Sequence, residues 1–244
     1  MDFNQIKQIV KDKYQDIAKG GSSCHGDCKS KKISESIGYT KEELENVGSA
    51  NMGLGCGNPV AISNILEGDV VIDLGSGGGI DCILAAKKVG PSGKVIGIDF
   101  TQEMIDIATN NVEKTNYTNI EFKRADIENL PLEDESVDKI ISNWVINLAS
   151  DKKAVFNEAK RVLKLGGKMY VSDIVLLEEL SKEQKVDKEL ISGCVAGAML
   201  KEDYINLIKE SGFEVNVLSE NKEISKEQYN GINLSSVALE VIKN

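Results

Sequence analysis

The chain has 244 residues, 41% hydrophobic and 28% charged, with 29 Lys+Arg against 39 Asp+Glu and a formal net charge of −10. That balance excludes disordered, collagenous and coiled-coil classes, and so acidic a surface excludes nucleic acid and anionic membrane as natural partners. With a single histidine, His25, zinc-hydrolase clusters and two-histidine protease motifs are impossible, so the chemistry must work without imidazole.

In chain order, residues 1–60 read as one helix and then a Gly-, Ser- and Cys-rich segment with no strand, a cap or lid on the main domain. On the helix, Ile6, Ile9, Val10, Tyr14 and Ile17 recur at near-helical spacing and mark a docking face. Tyr14 is also a candidate contact for a bound cofactor. The opening stretch MDFNQIKQIVKDKYQ lacks the apolar core of a signal peptide, and no run approaches about 18 consecutive apolar residues. The cysteines are Cys24, Cys28, Cys56, Cys82 and Cys194, an odd count. Together these features predict a cytoplasmic protein with reduced thiols.

From residue 70 strands and helices alternate. Residues 70–74 (VVIDL) form a buried strand, 80–89 a helix, 94–99 (KVIGID) a second strand, with a helix N-capped by Thr101 behind it. Strands recur at 120–124 and 137–145, then a helix at 152–163 and a turn at Gly166-Gly167 into a fifth strand at 168–175. After 178 the pattern becomes helical, with strand-like runs near 213–218 and 234–242. This alternation predicts a doubly wound, mostly parallel α/β sheet. Residues 1–60 form its cap, 61–178 its core, and 179–244 a helical insertion plus final strands that complete the sheet and the substrate site.

The sharpest local signal is VVIDLGSGGG leading into a helix. Its glycines allow a tight turn and close approach of a ligand to backbone amides, and the helix N-terminus favours negative charge. A dinucleotide fingerprint needs G-x-G-x-x-G, but Ile80 stands where its third glycine belongs. The pattern Asp73-x-Gly75-x-Gly77-x-Gly79 instead resembles motif I of the class I S-adenosylmethionine-dependent methyltransferases. Asp99, ending the second strand, matches the acidic residue that hydrogen-bonds ribose hydroxyls. The resemblance further implies that Asp126 and Ile127, in RADIENLPL, flank the adenine. Ser76, Phe100, Met104 and Asn143 complete the implied cofactor set.

Five segments in order, GLGCGNP, DLGSGGGIDC, SNWVINL, DKKAVFNEAKRVLKLGG and GCVAGA, closely resemble the bacterial arsenite methyltransferases from about residue 40 to 215. The resemblance implies methyl transfer from S-adenosylmethionine to trivalent arsenic, with an external thiol reductant (thioredoxin- or glutathione-like). Soft, thiophilic As(III) matches thiolate ligands. Cys56 and Cys194 are the implied arsenic ligands, with Cys24 or Cys28 as a third. Cys82, on the core face of the helix behind the glycine loop, reads as a packing residue. The segment Cys24-His25-Gly26-Asp27-Cys28 lacks a partner C-x-x-C, which disfavours zinc; a redox pair, an arsenic-delivery arm and a plain loop remain open. Trp144 departs from the family, many of whose members have cysteine there; it reads either as a packed aromatic or as an aromatic wall beside a sulfonium, where it would contribute about 0.5–2 kcal/mol. Two rival functions are methylation of a quinone- or sterol-like carbon and metalloid binding without turnover.

Overall fold

Short runs of Val, Ile and Leu build the centre of the molecule. In the computed structural model, which describes residues 3–19, 27–225, 229 and 231–244, they form one seven-stranded sheet. The strands are β1 (Val70–Leu74), β2 (Lys94–Asp99), β3 (Ile120–Arg124), β4 (Val137–Asn143), β5 (Leu163–Leu176), β6 (Glu214–Asn221) and β7 (Leu234–Ile242), in the order β3-β2-β1-β4-β5-β7-β6. All neighbours are parallel through β5, and β7 runs antiparallel to both β5 and β6. The order reverses between β1 and β4, which opens a crevice at their carboxyl ends.

Alternate side chains of these strands feed two cores. Val71, Ile141, Tyr170 and Ile174 pack one face, while Ile72, Leu74, Ile140 and Val171 pack the other. Helices cover both faces: α5 (Ile80–Val89) contributes to the first core, α7 (Lys152–Val162) and α9 (Lys201–Glu210) to the second, and α6 (Gln102–Val112) lies against β3. The doubly wound α/β expectation is what the strand order shows.

Details differ from the sequence reading. The glycine pair before the fifth strand is no turn: β5 begins at Leu163, and Gly166, at φ +74, sits inside a bulge where the pairing jumps from Val137↔Leu163 to Lys139↔Lys168. β4 stops at Asn143 because Trp144 turns away at φ +60. Thr101 occupies the N-cap of α6, but its hydroxyl caps nothing; the Thr101 amide instead donates to Asp99 Oδ1 at 2.9 Å.

The first sixty residues hold more helix than expected. Besides α1 (Phe3–Ala18) there are α2 (Asp27–Ser36), α3 (Lys41–Val47) and α4 (Pro59–Ile62). α3 starts with a capping box between Thr40 and Glu43, and α4 with Asn58 as N-cap and Pro59 in the first turn. On α1, Val10 and Ile17 are buried, as a docking face requires. A short α8 (Lys188–Ser192), capped by Asp187, carries the chain to Cys194 and meets α1.

Candidate active site

The glycine loop connects β1 to α5 at the crevice. The Gly75 and Ser76 amides both donate to the Ile98 carbonyl, at 2.8 and 2.9 Å, pinning the loop to β2. Gly75 has φ +71, and a Cβ there would lie 2.4 Å from Val145 Cγ2; Gly77 has φ +49 with open space around it. Asp99 fastens the loop from the second strand, its Oδ2 accepting from the Gly77 amide at 3.1 Å. This explains why an acidic residue ends β2: its carboxylate organises the loop and still offers lone pairs to hydroxyl donors.

A cavity opens over this loop, walled by β1, β2, the 125–128 turn, the end of β4 and α1. Asp73, Gly75, Ser76, Gly77, Asp99, Phe100, Asp126, Ile127 and Asn143 line it, nine of the eleven residues expected to hold the cofactor. Two stand elsewhere. Gly79 is the left-handed N-cap of α5, packed towards Phe122 and Ala108, and the Met104 side chain is wholly buried. Tyr14 lines the cavity.

The wall carries residues that the motifs leave without a role. Asp81, in the first turn of α5, is 4% exposed and faces the cavity; Tyr39 donates to its Oδ1 at 2.7 Å and Asn143 Nδ2 to its Oδ2 at 3.3 Å. Burial raises its pKa to about 6, and burial, then the Asp81 charge, holds Asp73 well above the usual carboxylate range. The sequence signal for Asp81 is an acidic residue in the first turn of the helix behind the loop. Lys7 of α1 donates to Asp126 at 2.7 Å and to Glu128 at 2.6 Å across the mouth; one lysine on a charged helix carries no such signal.

The cavity suits the expected cofactor. Four carboxylates, Asp73, Asp81, Asp99 and Asp126, match a sulfonium, an ammonium and sugar hydroxyls, and the buried Ser76 hydroxyl has no partner among the described residues.

The thiols lie behind this wall. Cys56 is 4% exposed and Cys194 fully buried, and neither lines the cavity. Asn143 joins the two regions: its Oδ1 accepts from the Cys56 amide at 3.1 Å, and its Nδ2 donates to Gly57 O at 2.9 Å. The Cys56 carbonyl accepts from Ser236 of β7 at 2.6 Å. Cys194, at φ +63, donates from Sγ to the Trp144 carbonyl at 3.1 Å, and the Trp144 amide donates to Ser172 at 2.9 Å. Burial first, then the Asp173 charge, pushes both thiols up.

Asp173 is fully buried on β5, accepting from Asn147 at 2.9 Å and Tyr204 at 3.1 Å, with its pKa raised by burial to about 7. Cys82 donates to Asp73 Oδ2 at 3.3 Å and is buried, as a packing residue should be. Cys24 and His25 lie outside the described residues, as does the side chain of Cys28, whose backbone lies in the first turn of α2. Among the described residues, no group of three or more His, Cys, Asp and Glu side chains forms a metal cage.

Comparison with known proteins gives a consistent result. Residues 65–212 match the family described as "Methyltransferase domain". The chain is 41% identical over 228 residues to an arsenite methyltransferase of Halobacterium salinarum, covering 87% of this chain and 58% of that protein. It is 39% identical over 178 residues to an arsenite methyltransferase of Aquipseudomonas alcaligenes, covering 70% and 51%. The chain thus spans about half to three fifths of the length of these curated relatives. Among solved structures, an arsenic(III) S-adenosylmethionine methyltransferase from Chlamydomonas reinhardtii superposes with a TM-score of 0.68 at 33% identity, over 86% of this chain and 73% of that one.

Proposed function

The chain belongs to the arsenite methyltransferase family, and from that membership we propose that it transfers methyl groups from S-adenosylmethionine to trivalent arsenic held by the thiolates of Cys56 and Cys194. The observation that carries the proposal is the bridge made by Asn143, which bonds the Cys56 segment on one side and Asp81 of the cavity wall on the other. Methyl donor and thiol-bound acceptor are thereby registered to one side chain.

In this reading Asp99 takes the ribose hydroxyls, Asp126 and Ile127 border the adenine, and Asp73 and Asp81 face the positively charged end of the cofactor. The cofactor supplies an electrophilic methyl group on a sulfonium, open to the lone pair of As(III). The nucleophile loses no proton at that step, so no general base is required, which suits a chain with one histidine. The chain's own contribution is orientation, a term that reaches about 7–11 kcal/mol in favourable cases. An external thiol, thioredoxin- or glutathione-like, returns arsenic to the trivalent state. A cytoplasmic setting keeps both cysteines reduced; among the described residues no helix is long and apolar enough to cross a membrane. In this reading the chain divides into a cap (1–60), a cofactor core (61–178) and a substrate-completing segment (179–244).

The test is release of S-adenosylhomocysteine with arsenite or methylarsenite plus a thiol, in the native chain and in Cys56→Ser and Cys194→Ser. Arsenic-dependent release lost in both variants is the expected result. Trp144 in the cavity wall, with the thiols behind it, favours one second reading, metalloid binding without turnover. Tight arsenite binding with no release would establish that reading instead.

A further inference from the structure

Tyr229 stands in the loop between β6 and β7, its amide donating to Ser225 and its carbonyl accepting from Ile232. The residue is 8% exposed, and its ring belongs to the same packed cluster as Cys56, Ile174, Val195 and Leu234. Its hydroxyl is buried and has no hydrogen-bond partner among the described residues. A buried hydroxyl without a partner forfeits its bond to water, so such a group is rare without a reason. Burial first, then the charges that Cys56 and Cys194 would carry, pushes its pKa well above the ordinary tyrosine value. The group is a hydrogen-bond donor buried in the packed cluster that also holds Cys56.

The thiols leave one position on arsenic to be filled. Arsenite reacts as As(OH)3 + 2 RSH → (RS)2AsOH + 2 H2O: two S–As bonds replace two As–O bonds, both thiol protons leave in water, and arsenic stays trivalent. One oxygen remains. Methylarsenite reacts as CH3As(OH)2 + 2 RSH → CH3As(SR)2 + 2 H2O, and none remains. At the end of β4 the residue whose carbonyl accepts from Cys194 is Trp144, which carries an indole rather than a third thiol.

We infer that the Tyr229 hydroxyl donates a hydrogen bond to the oxygen left on arsenic bound by Cys56 and Cys194, and so favours arsenite over methylarsenite. The inference rests on the arsenic reading above. It makes Tyr229 a positioning residue, fixing the As–O bond and with it the direction of the lone pair.

The test compares equilibrium dialysis of the full chain against arsenite and against methylarsenite, with bound arsenic counted by mass spectrometry, in the native protein and in Tyr229→Phe. The phenylalanine variant loses roughly three- to tenfold affinity for arsenite and none for methylarsenite. Its melting temperature is unchanged or higher, because the hydroxyl bonds to nothing among the described residues. Equal loss for both ligands, or for neither, overturns the inference. Selective loss of arsenite in a Cys24→Ser, Cys28→Ser double variant, with Tyr229→Phe unaffected, overturns it in favour of a third thiolate. Failure of the native chain to bind either ligand through Cys56 and Cys194 defeats the arsenic reading itself, a different result from failure of Tyr229 alone.

Discussion

Gly75 and Gly77 share left-handed backbone angles, but the space around them differs. An alanine Cβ at 75 meets Val145 Cγ2 at 2.4 Å, whereas at 77 it meets nothing within 4 Å. Gly77→Ala therefore incurs only the left-handed strain, about 1–2 kcal/mol, a loss of roughly 2–8 °C in melting temperature for a chain of this size. Gly75→Ala adds an overpacking cost of about 1–3 kcal/mol and melts lower still. In calorimetric titration with S-adenosylmethionine, Gly77→Ala binds at least about tenfold more weakly, since its methyl enters space the cofactor needs. Unchanged affinity in a folded Gly77→Ala would mean that the cofactor does not approach the loop there. The loop is readable from sequence because its chemistry is local, with Asp73, Gly75, Gly77 and Asp99 at fixed offsets from strand ends. Asp81 and Lys7 gain their roles only in the fold, because their significance depends on partners distant in sequence: Tyr39 and Asn143 for the first, Asp126 and Glu128 for the second.

α1 meets the rest of the molecule through two kinds of contact. Val10 and Ile17 are buried against it, and Lys7 spans to Asp126 and Glu128 while Gln15 reaches Glu103 at 2.9 Å. The Lys7 side chain is 37% exposed, so each ion pair is screened and worth at most about 1 kcal/mol. Lys7→Met therefore leaves the melting temperature nearly unchanged but lets the first turns of α1 open more often. Amide exchange over residues 3–18 should quicken and cofactor dissociation accelerate several-fold; unchanged exchange would show that the apolar face alone holds the helix. The amphipathic spacing of α1 exposes that face in the sequence. The other cap helices carry quieter signals, a Thr40-x-x-Glu43 capping box and an Asn58-Pro59 start, in a stretch whose glycines and serines suggest loop. The beginning of β5 is hidden for a similar reason, because Gly166-Gly167 marks a turn in sequence and a bulge in the folded sheet.

At the scale of the whole molecule, the site concentrates negative charge in a chain already at −10. In the folded state Asp81 titrates at about 6 and Asp173 at about 7, both above the ordinary 3.8. Between about pH 4 and 7 the folded chain therefore binds protons that the unfolded chain releases, and stability falls as pH rises through that window. Repulsion among ionising surface carboxylates acts in the same direction. Glu158 and Glu240, lowered by Arg161 and Lys168, act oppositely, but their contribution is lost only as pH falls below the ordinary carboxylate range. The cofactor-free protein should accordingly melt higher at pH 5.5 than at pH 8. A cationic cofactor reverses the preference at the cavity, because ionised Asp81 attracts it and protonated Asp81 does not. The rise in melting temperature on saturation with S-adenosylmethionine should be larger at pH 8, and Asp81→Asn should shrink that difference while Tyr39 keeps its acceptor in the amide oxygen. Thermal scans of both proteins at the two pH values, with and without cofactor, test both halves. A cofactor-free protein that melts higher at pH 8 would show that the buried carboxylates do not govern stability. An increment independent of pH would separate Asp81 from the cofactor's charge.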